Sequence, residues 1–173
     1  MGLAVLLGLS QIPAWVSAQV VESGNEGRFR LYAGAGGSGY YVEYGERKLL
    51  GISGWVDADT ARHFGIEAEG RWLEYHQTAN VHVETYLAGL RYHRTAGRFQ
   101  PYAKALAGFG DFNFPYDYAY GRYFVVAPGG GVDYRLNHRW AVRADFEYQL
   151  WPQFTFGSMS SAGGTAGIRY RIF

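Results

Sequence analysis

Apolar and polar residues alternate along most of this chain, most strictly in "AVRADFEYQLW" at residues 141–151. Val142, Ala144, Phe146, Tyr148 and Leu150 fall on one face, and Arg143, Asp145, Glu147 and Gln149 on the other. A period of two is that of a β-strand. The same alternation, punctuated by turn residues, predicts eight strands over residues 28–36, 48–57, 64–75, 84–94, 99–112, 122–135, 140–151 and 162–173. No amphipathic helix is expected between them. "ADTAR", "TAGR" and "LNHR" read as short polar turns, whereas "GSGYYVEYGE", "HQTANVHV", "NFPYDYAYG" and "PQFTFGSMSS" read as longer connections, and the two kinds alternate.

Alternation is symmetric: it serves a soluble, lipocalin-like barrel with a greasy lumen as well as a membrane barrel with a polar one. The placement of aromatic residues breaks the symmetry. On the apolar faces, Phe29, Phe64, Tyr92, Phe99, Tyr134, Trp140 and Tyr170 gather at the short-turn end, and Trp72, Tyr86, Phe109, Phe124 and Tyr148 at the other. Smaller apolar residues lie between, such as Ile66 and Ala68, Ala88 and Leu90, Val142 and Ala144. Two aromatic girdles around an aliphatic band are the mark of a lipid-facing wall. A strand of about 12 residues at roughly 3.3 Å each, tilted by about 45°, spans just under 30 Å, the thickness of a bilayer core. The fold expected is therefore all-β, an eight-stranded antiparallel up-and-down transmembrane β-barrel. Its Val142 face points into lipid and its Arg143 face inward, with tight turns toward the periplasm and longer loops outward.

Composition narrows the picture further. The 173 residues suit one domain, and Tyr 15, Phe 11, Trp 5 and Gly 25 favour strands and turns. Sixteen basic against fifteen acidic residues leave a net charge of +1 with no basic stripe, which gives no support for nucleic-acid binding. No cysteine is present, so disulfides and thiolate metal sites are excluded. The opening "MGLAVLLGLSQIPAWVSAQV" has the length and apolarity of a signal peptide and ends in the small-x-small pattern Val16-Ser17-Ala18. Residues 1–18 are read as an export signal and 19–173 as the barrel. Ser10, Gln11 and Pro13 interrupt the run, against a spanning helix of about 20 apolar residues. The run lacks a Lys or Arg ahead of it, as a misassigned start codon or a few missing residues would produce.

If one face meets lipid, the other is a lumen. It would hold Arg30, Asp57, Glu67, Glu69, Arg71, Arg91, Lys104, Asp133, Arg135, Arg143, Asp145, Glu147, Arg169 and Arg171, eight basic and six acidic. An eight-stranded barrel is barely wide enough for its own side chains, and buried charges need partners. A packed ionic network is expected, with any continuous channel narrow. Counted from the short-turn aromatics, Glu67, Glu69, Lys104, Arg143 and Asp145 share a layer. The long connections carry Tyr40, Tyr41, Tyr44, Phe114, Tyr116, Tyr118, Tyr120, Phe154 and Phe156. Aromatics there form a binding surface, pack over the barrel mouth or dip into the lipid interface.

"VVAPGGGVDYRLNHRWAVRADFEYQLW" resembles the adjoining sixth and seventh strands of the transmembrane barrel of the outer membrane protein A family, and "FGIEAEGRWLEY" and "YLAGLRYH" resemble small outer-membrane β-barrel domains more widely. The resemblance covers residues 27–173. It implies a barrel in outer-membrane lipid and lipopolysaccharide, inserted by the outer-membrane assembly machinery, which reads a terminal aromatic; here Phe173 stands one step off the Ile168, Tyr170, Ile172 face. It also implies an ionic gate, Lys104 with Glu67 or Glu69 and Arg143 with Asp133 or Asp145, although a static network filling the barrel is the plainer reading. The chain ends on its last strand, so the peptidoglycan-binding domain of larger members, and cell-wall anchoring, are not expected.

Other motifs carry less. Gly34-Ala-Gly36-Gly37-Ser38-Gly39 matches a dinucleotide fingerprint in form but lacks the following helix, so these glycines, like Gly129-Gly130-Gly131, are read as relieving crowding in the lumen. Lipid A deacylases resemble this architecture, yet no His-x-Ser pair occurs. His76 and His82 with Ser158, Ser160 or Ser161 are the residues from which a triad could be assembled, and the histidines lack a third metal ligand. No enzyme activity and no cofactor are expected, and a monomer is. Three roles stay open: a structural barrel with a loop-borne extracellular ligand, a narrow gated pore, and a lipid A-modifying enzyme.

Overall fold

The computed structural model describes residues 29–43, 47–74, 82–113, 120–154 and 157–173. These form eight antiparallel strands: β1 Arg30–Val42, β2 Arg47–Asp59, β3 Phe64–Glu74, β4 His82–His93, β5 Phe99–Asn113, β6 Tyr120–Arg135, β7 Trp140–Phe154 and β8 Gly157–Arg171. Each strand pairs with its sequence neighbours, and β1 pairs with β8 from Tyr32 against Arg171 to Val42 against Ser161, closing the barrel. Closure matters because an open edge would leave backbone N–H and C=O groups unpaired. The β6–β7 ladder skips Ala127 and Pro128, where proline has no N–H to give. No helix among the described residues is long and apolar enough to cross a membrane.

The three short turns are set by local chemistry. Between β4 and β5, Ala96 and Phe99 exchange both backbone hydrogen bonds, and Gly97 takes a φ of 62° that a side chain would oppose. Between β6 and β7, the Asn137 side-chain oxygen accepts from the N–H groups of Arg139 at 2.9 Å and Trp140 at 2.8 Å. Between β2 and β3, the N–H groups of Thr60 and Ala61 both donate to the Phe64 carbonyl.

At the opposite end the strands run farther than the alternation predicts. β1 continues six residues past 36 to Val42, and β8 begins at Gly157 rather than 162. Only four residues separate β1 from β2 and two separate β7 from β8. The expected alternation of long and short connections is therefore corrected: only the β3–β4 and β5–β6 connections are long. In β1 the cause is the glycine-rich segment around Gly36 to Gly39, which resembles a loop in sequence but keeps strand register against both β2 and β8, and β8 is extended by its pairing with β7, Met159 against Trp151 and Gly157 against Phe154.

The faces fall as the alternation requires. Val142 is 41% exposed and Phe146 59%, whereas Arg143 is 2% exposed. The outer wall pairs its aromatics across strands at the short-turn end: Phe64 with Tyr92, Phe99 with Tyr134 and Trp140 with Tyr170, at ring separations of 5.2, 4.9 and 4.8 Å. Trp72 and Tyr86, and Phe109 and Phe124, do the same at the other end. Ile66, Leu90 and Ile168 lie between, all exposed. So continuous an apolar belt is incompatible with water.

Candidate functional site

The inward positions fill the barrel in two storeys. The storey nearer the short turns is ionic. Arg143 from β7 reaches Asp57 at 2.7 Å, Asp133 at 2.9 Å and Glu67 at 3.1 Å. Arg91 and Arg169 converge on the same two aspartates, each 2.5 Å from Asp133 and 3.3 and 2.9 Å from Asp57. Three guanidiniums thus share two carboxylates. One layer farther in, the Lys104 ammonium is surrounded by four carboxylates: Glu69 at 2.9 Å, Glu147 at 3.0 Å, and Glu67 and Asp145 at 3.1 Å. Arg71 pairs with Glu147 at 2.8 Å and with Glu69, and the Tyr102 hydroxyl donates to Asp145 at 2.6 Å.

Charges withdrawn this far from water need more than one kind of compensation. Each lumenal arginine also lies over an aromatic ring: Arg169 over Tyr32 at 3.6 Å, Arg91 over Tyr102 at 4.0 Å, Arg71 over Tyr40 at 4.3 Å and Arg143 over Trp55 at 4.7 Å. The ring faces supply cation–π attraction where carboxylates do not reach. The barrel has room for these rings because glycines stand directly across from them. Gly34 pairs with Trp55, Gly163 with Tyr40 and Gly131 with Tyr102, and a Cβ on Gly34 or Gly163 would collide with the ring.

The second storey is apolar. Leu49, Leu73, Leu87, Leu106, Val125 and Trp151 are buried together, with Val42, Val83, Ala127 and Met159 around them. A short polar ladder joins the storeys: Ser161 donates to Gln149, which donates to Glu147.

All ten residues named for the ionic network (Glu67, Glu69, Arg71, Arg91, Lys104, Asp133, Arg143, Asp145, Glu147 and Arg169) are inward and buried. Arg143 does not pair with Asp145, which the alternative pairing required; it takes Asp57 and Glu67 besides Asp133. Arg30, Arg135 and Arg171 lie at the short-turn mouth, partly or fully exposed, rather than in the network. Sequence reasoning missed Asp59, His93 and Gln100, and above all the rings of Tyr32, Trp55 and Tyr102. Their parity with Arg30, Asp57 and Lys104 on the same strands is the signal that would have found them.

The aromatic loop surface needs correction. Tyr40 is not on a loop: it lies in β1, 3% exposed, with its hydroxyl 3.5 Å from Glu147. Tyr41 is also in β1 but faces outward. Tyr120 opens β6 and Phe154 ends β7. Tyr44, Phe114, Tyr116, Tyr118 and Phe156 lie outside the described residues, as does His76. Ser161 and Ser160 are engaged with Gln149 and Glu43, on β8, whereas His82 is on β4, which does not border it.

A family model for the outer membrane protein beta-barrel domain matches residues 1–171. The chain belongs to this family. Among solved structures it is similar to neisserial surface protein A, at 13% identity and a TM-score of 0.63 over 82% of this chain and 96% of that one. The attachment invasion locus protein of Yersinia pestis, crystallised with the heparin analogue sucrose octasulfate, gives 13% and 0.63 over 83% and 99%. Outer membrane protein OprG from Pseudomonas aeruginosa gives 12% and 0.59 over 86% and 98%. At such identities the likeness is one of fold. No curated protein matches the sequence. Membership in the family places the barrel in the outer membrane, and its apolar belt and closed sheet suit a bilayer on physical grounds.

Proposed function

We propose that this chain is a plugged outer-membrane barrel with a structural or interactive role, acting through its outer rim rather than as a pore or an enzyme. The supporting observation is the doubly filled lumen: an ionic storey in which Lys104 holds four carboxylates, under an apolar storey centred on Leu106 and Trp151. Ions crossing the barrel would have to displace both. Export follows cleavage after Ala18, the mature barrel runs from Gln19 to Phe173, and the assembly machinery inserts it as a monomer among outer-membrane lipid and lipopolysaccharide. An extracellular ligand would meet the β3–β4 and β5–β6 connections. The described residues beside those connections carry Glu74, Glu84 and Asp111 against Arg122, so a sulfated polymer like the analogue bound by the Yersinia pestis protein is a poor electrostatic match.

The second reading, a narrow gated pore, is favoured by the Lys104 cage, because an ammonium with four partners can exchange some without losing all. Planar-bilayer recording of refolded protein separates the two. The wild type should be electrically silent, and Lys104→Ala should lower stability without opening a channel. A rise in open probability in Lys104→Ala would establish the gate instead. Intact-mass measurement of outer-membrane material should give a chain starting at Gln19, and a retained Met1 would defeat the export reading.

A further inference from the structure

Among the described residues, the arginines without a side-chain carboxylate partner gather at one place. Among the described residues the ion-paired arginines are Arg71, Arg91, Arg143 and Arg169 in the lumen and Arg122 at the outer rim, the last a two-bond pair with Asp111 at 2.9 and 3.0 Å. At the short-turn mouth stand seven more that pair with no Asp or Glu among the described residues. Arg30, Arg135 and Arg171 occupy inward positions at strand ends, and Arg62, Arg94, Arg98 and Arg139 sit on the three turns, none of which contains Asp or Glu. Two of them contact neutral oxygens, Arg135 the Gly97 carbonyl and Arg139 the Tyr170 hydroxyl, and Arg171 donates to the main-chain oxygen of Phe173. The Arg30 Nε is buried without a hydrogen-bond partner.

Lumenal charge does not cancel this excess. The buried carboxylates are Asp57, Asp59, Glu67, Glu69, Asp133, Asp145 and Glu147, seven against the five cations Arg71, Arg91, Lys104, Arg143 and Arg169, a surplus of two. That surplus offsets two of the seven mouth arginines. Two cavities open among the rest. One, of about 460 Å³, is lined by Arg30, Arg98, Arg135, Arg139, Arg169 and Arg171, with Gln100 and Tyr32 at its floor and Trp140 and Leu136 on the lipid side. The other, of about 520 Å³, shares Arg30 and Arg135 and adds Arg62 and Arg94, but has the Asp59 carboxylate in its wall, so the first is the better suited to an anion.

We propose that this mouth is a binding site for a phosphate-bearing anion, with Arg30, Arg135 and Arg171 as its inner wall and Arg98 and Arg139 as its outer one. Guanidinium forks match phosphate oxygens two at a time, and cavities of this size take small ligands. The open mouth and the Trp140 side leave two sources for the phosphate, a soluble periplasmic anion or a headgroup of the surrounding lipid. The site rests on the geometry of the mouth and is independent of whether the lumen conducts.

The test is calorimetric titration of sodium pyrophosphate into protein refolded in a non-ionic detergent at low salt. Saturable binding is expected, weakened about a hundredfold in the triple variant Arg30→Gln/Arg135→Gln/Arg171→Gln through loss of its charge-assisted hydrogen bonds, and falling steeply with added salt. Arg122→Gln, at the opposite rim, should bind as the wild type does. Resistance to unfolding on an unboiled gel verifies that the triple variant is folded, and Arg135→Lys gives a milder probe if it is not: it keeps the charge but should still lose affinity. Repeating the titration in phosphatidylglycerol nanodiscs assigns the source, since suppressed binding identifies the headgroup as competitor and unchanged binding a soluble anion. Absence of saturable binding to the wild type, or equal affinity in the folded triple variant, would overturn the proposal and leave the arginines a solvated rim.

Discussion

The two storeys of the lumen solve the same packing problem by opposite means. The lower one places Lys104, Arg91, Arg143 and Arg169 among carboxylates and ring faces, where every contact depends on its partner being present. The upper one packs Leu49, Leu73, Leu106, Val125 and Trp151, where each contact is worth a little and none is indispensable. The difference teaches where the barrel is brittle. Deleting one ion strands others in a place water does not reach, whereas deleting one methyl group leaves a hole of its own size.

Breaking the ionic storey should therefore have the largest effect. Lys104→Met leaves four carboxylates facing one another and is expected to cost about 3–5 kcal/mol, read from the urea midpoint of the refolded barrel. Adding Glu69→Gln and Asp145→Asn to that variant should recover part of the loss, and failure to do so would show that packing rather than charge sets the cost. In the apolar storey, Leu106→Ala should cost about 2–4 kcal/mol with no dependence on salt. Overfilling it should cost less: a Cβ at Gly110 already collides with the Trp151 ring, and Gly110→Val should destabilise by about 1–3 kcal/mol, with a shift in tryptophan fluorescence marking the displaced indole. Arg122→Gln, outside both storeys at an exposed pair, should leave the unfolding midpoint where it was.

The lower storey was legible in the sequence because its strands alternate with high contrast. In "FGIEAEGRW" and "AVRADFEYQ" every inward residue but Gly65 and Ala141 is charged or an amide and, apart from Gly70, every outward one is apolar, so one parity choice places Glu67, Glu69, Arg71, Arg143, Asp145 and Glu147 together. The upper storey was not legible because there both faces are apolar. In "YLAGL" Leu87 points in while Tyr86 and Ala88 point out, and in "FVVA" Val125 points in between outward Phe124 and Val126. A period of two vanishes when both phases carry the same chemistry. Tyr40 was lost for a related reason: its neighbouring glycines read as a loop, although they are the vacancies into which its ring and that of Trp55 fit.

What the chain determined by itself is the direction of each side chain, since pleating sends successive residues to opposite faces whatever else surrounds them. It thereby determined that the wall is greasy, the lumen charged, and the strands eight. What only the closed barrel decided is which inward residues meet. Lys104 lies on β5, yet its carboxylates come from β3 and β7, and Arg143 on β7 finds Asp57 on β2, because tilted strands displace each neighbour's residues along the axis and closure brings non-adjacent strands face to face. Alternation is a property of one strand, and partnership across a lumen is a property of all eight.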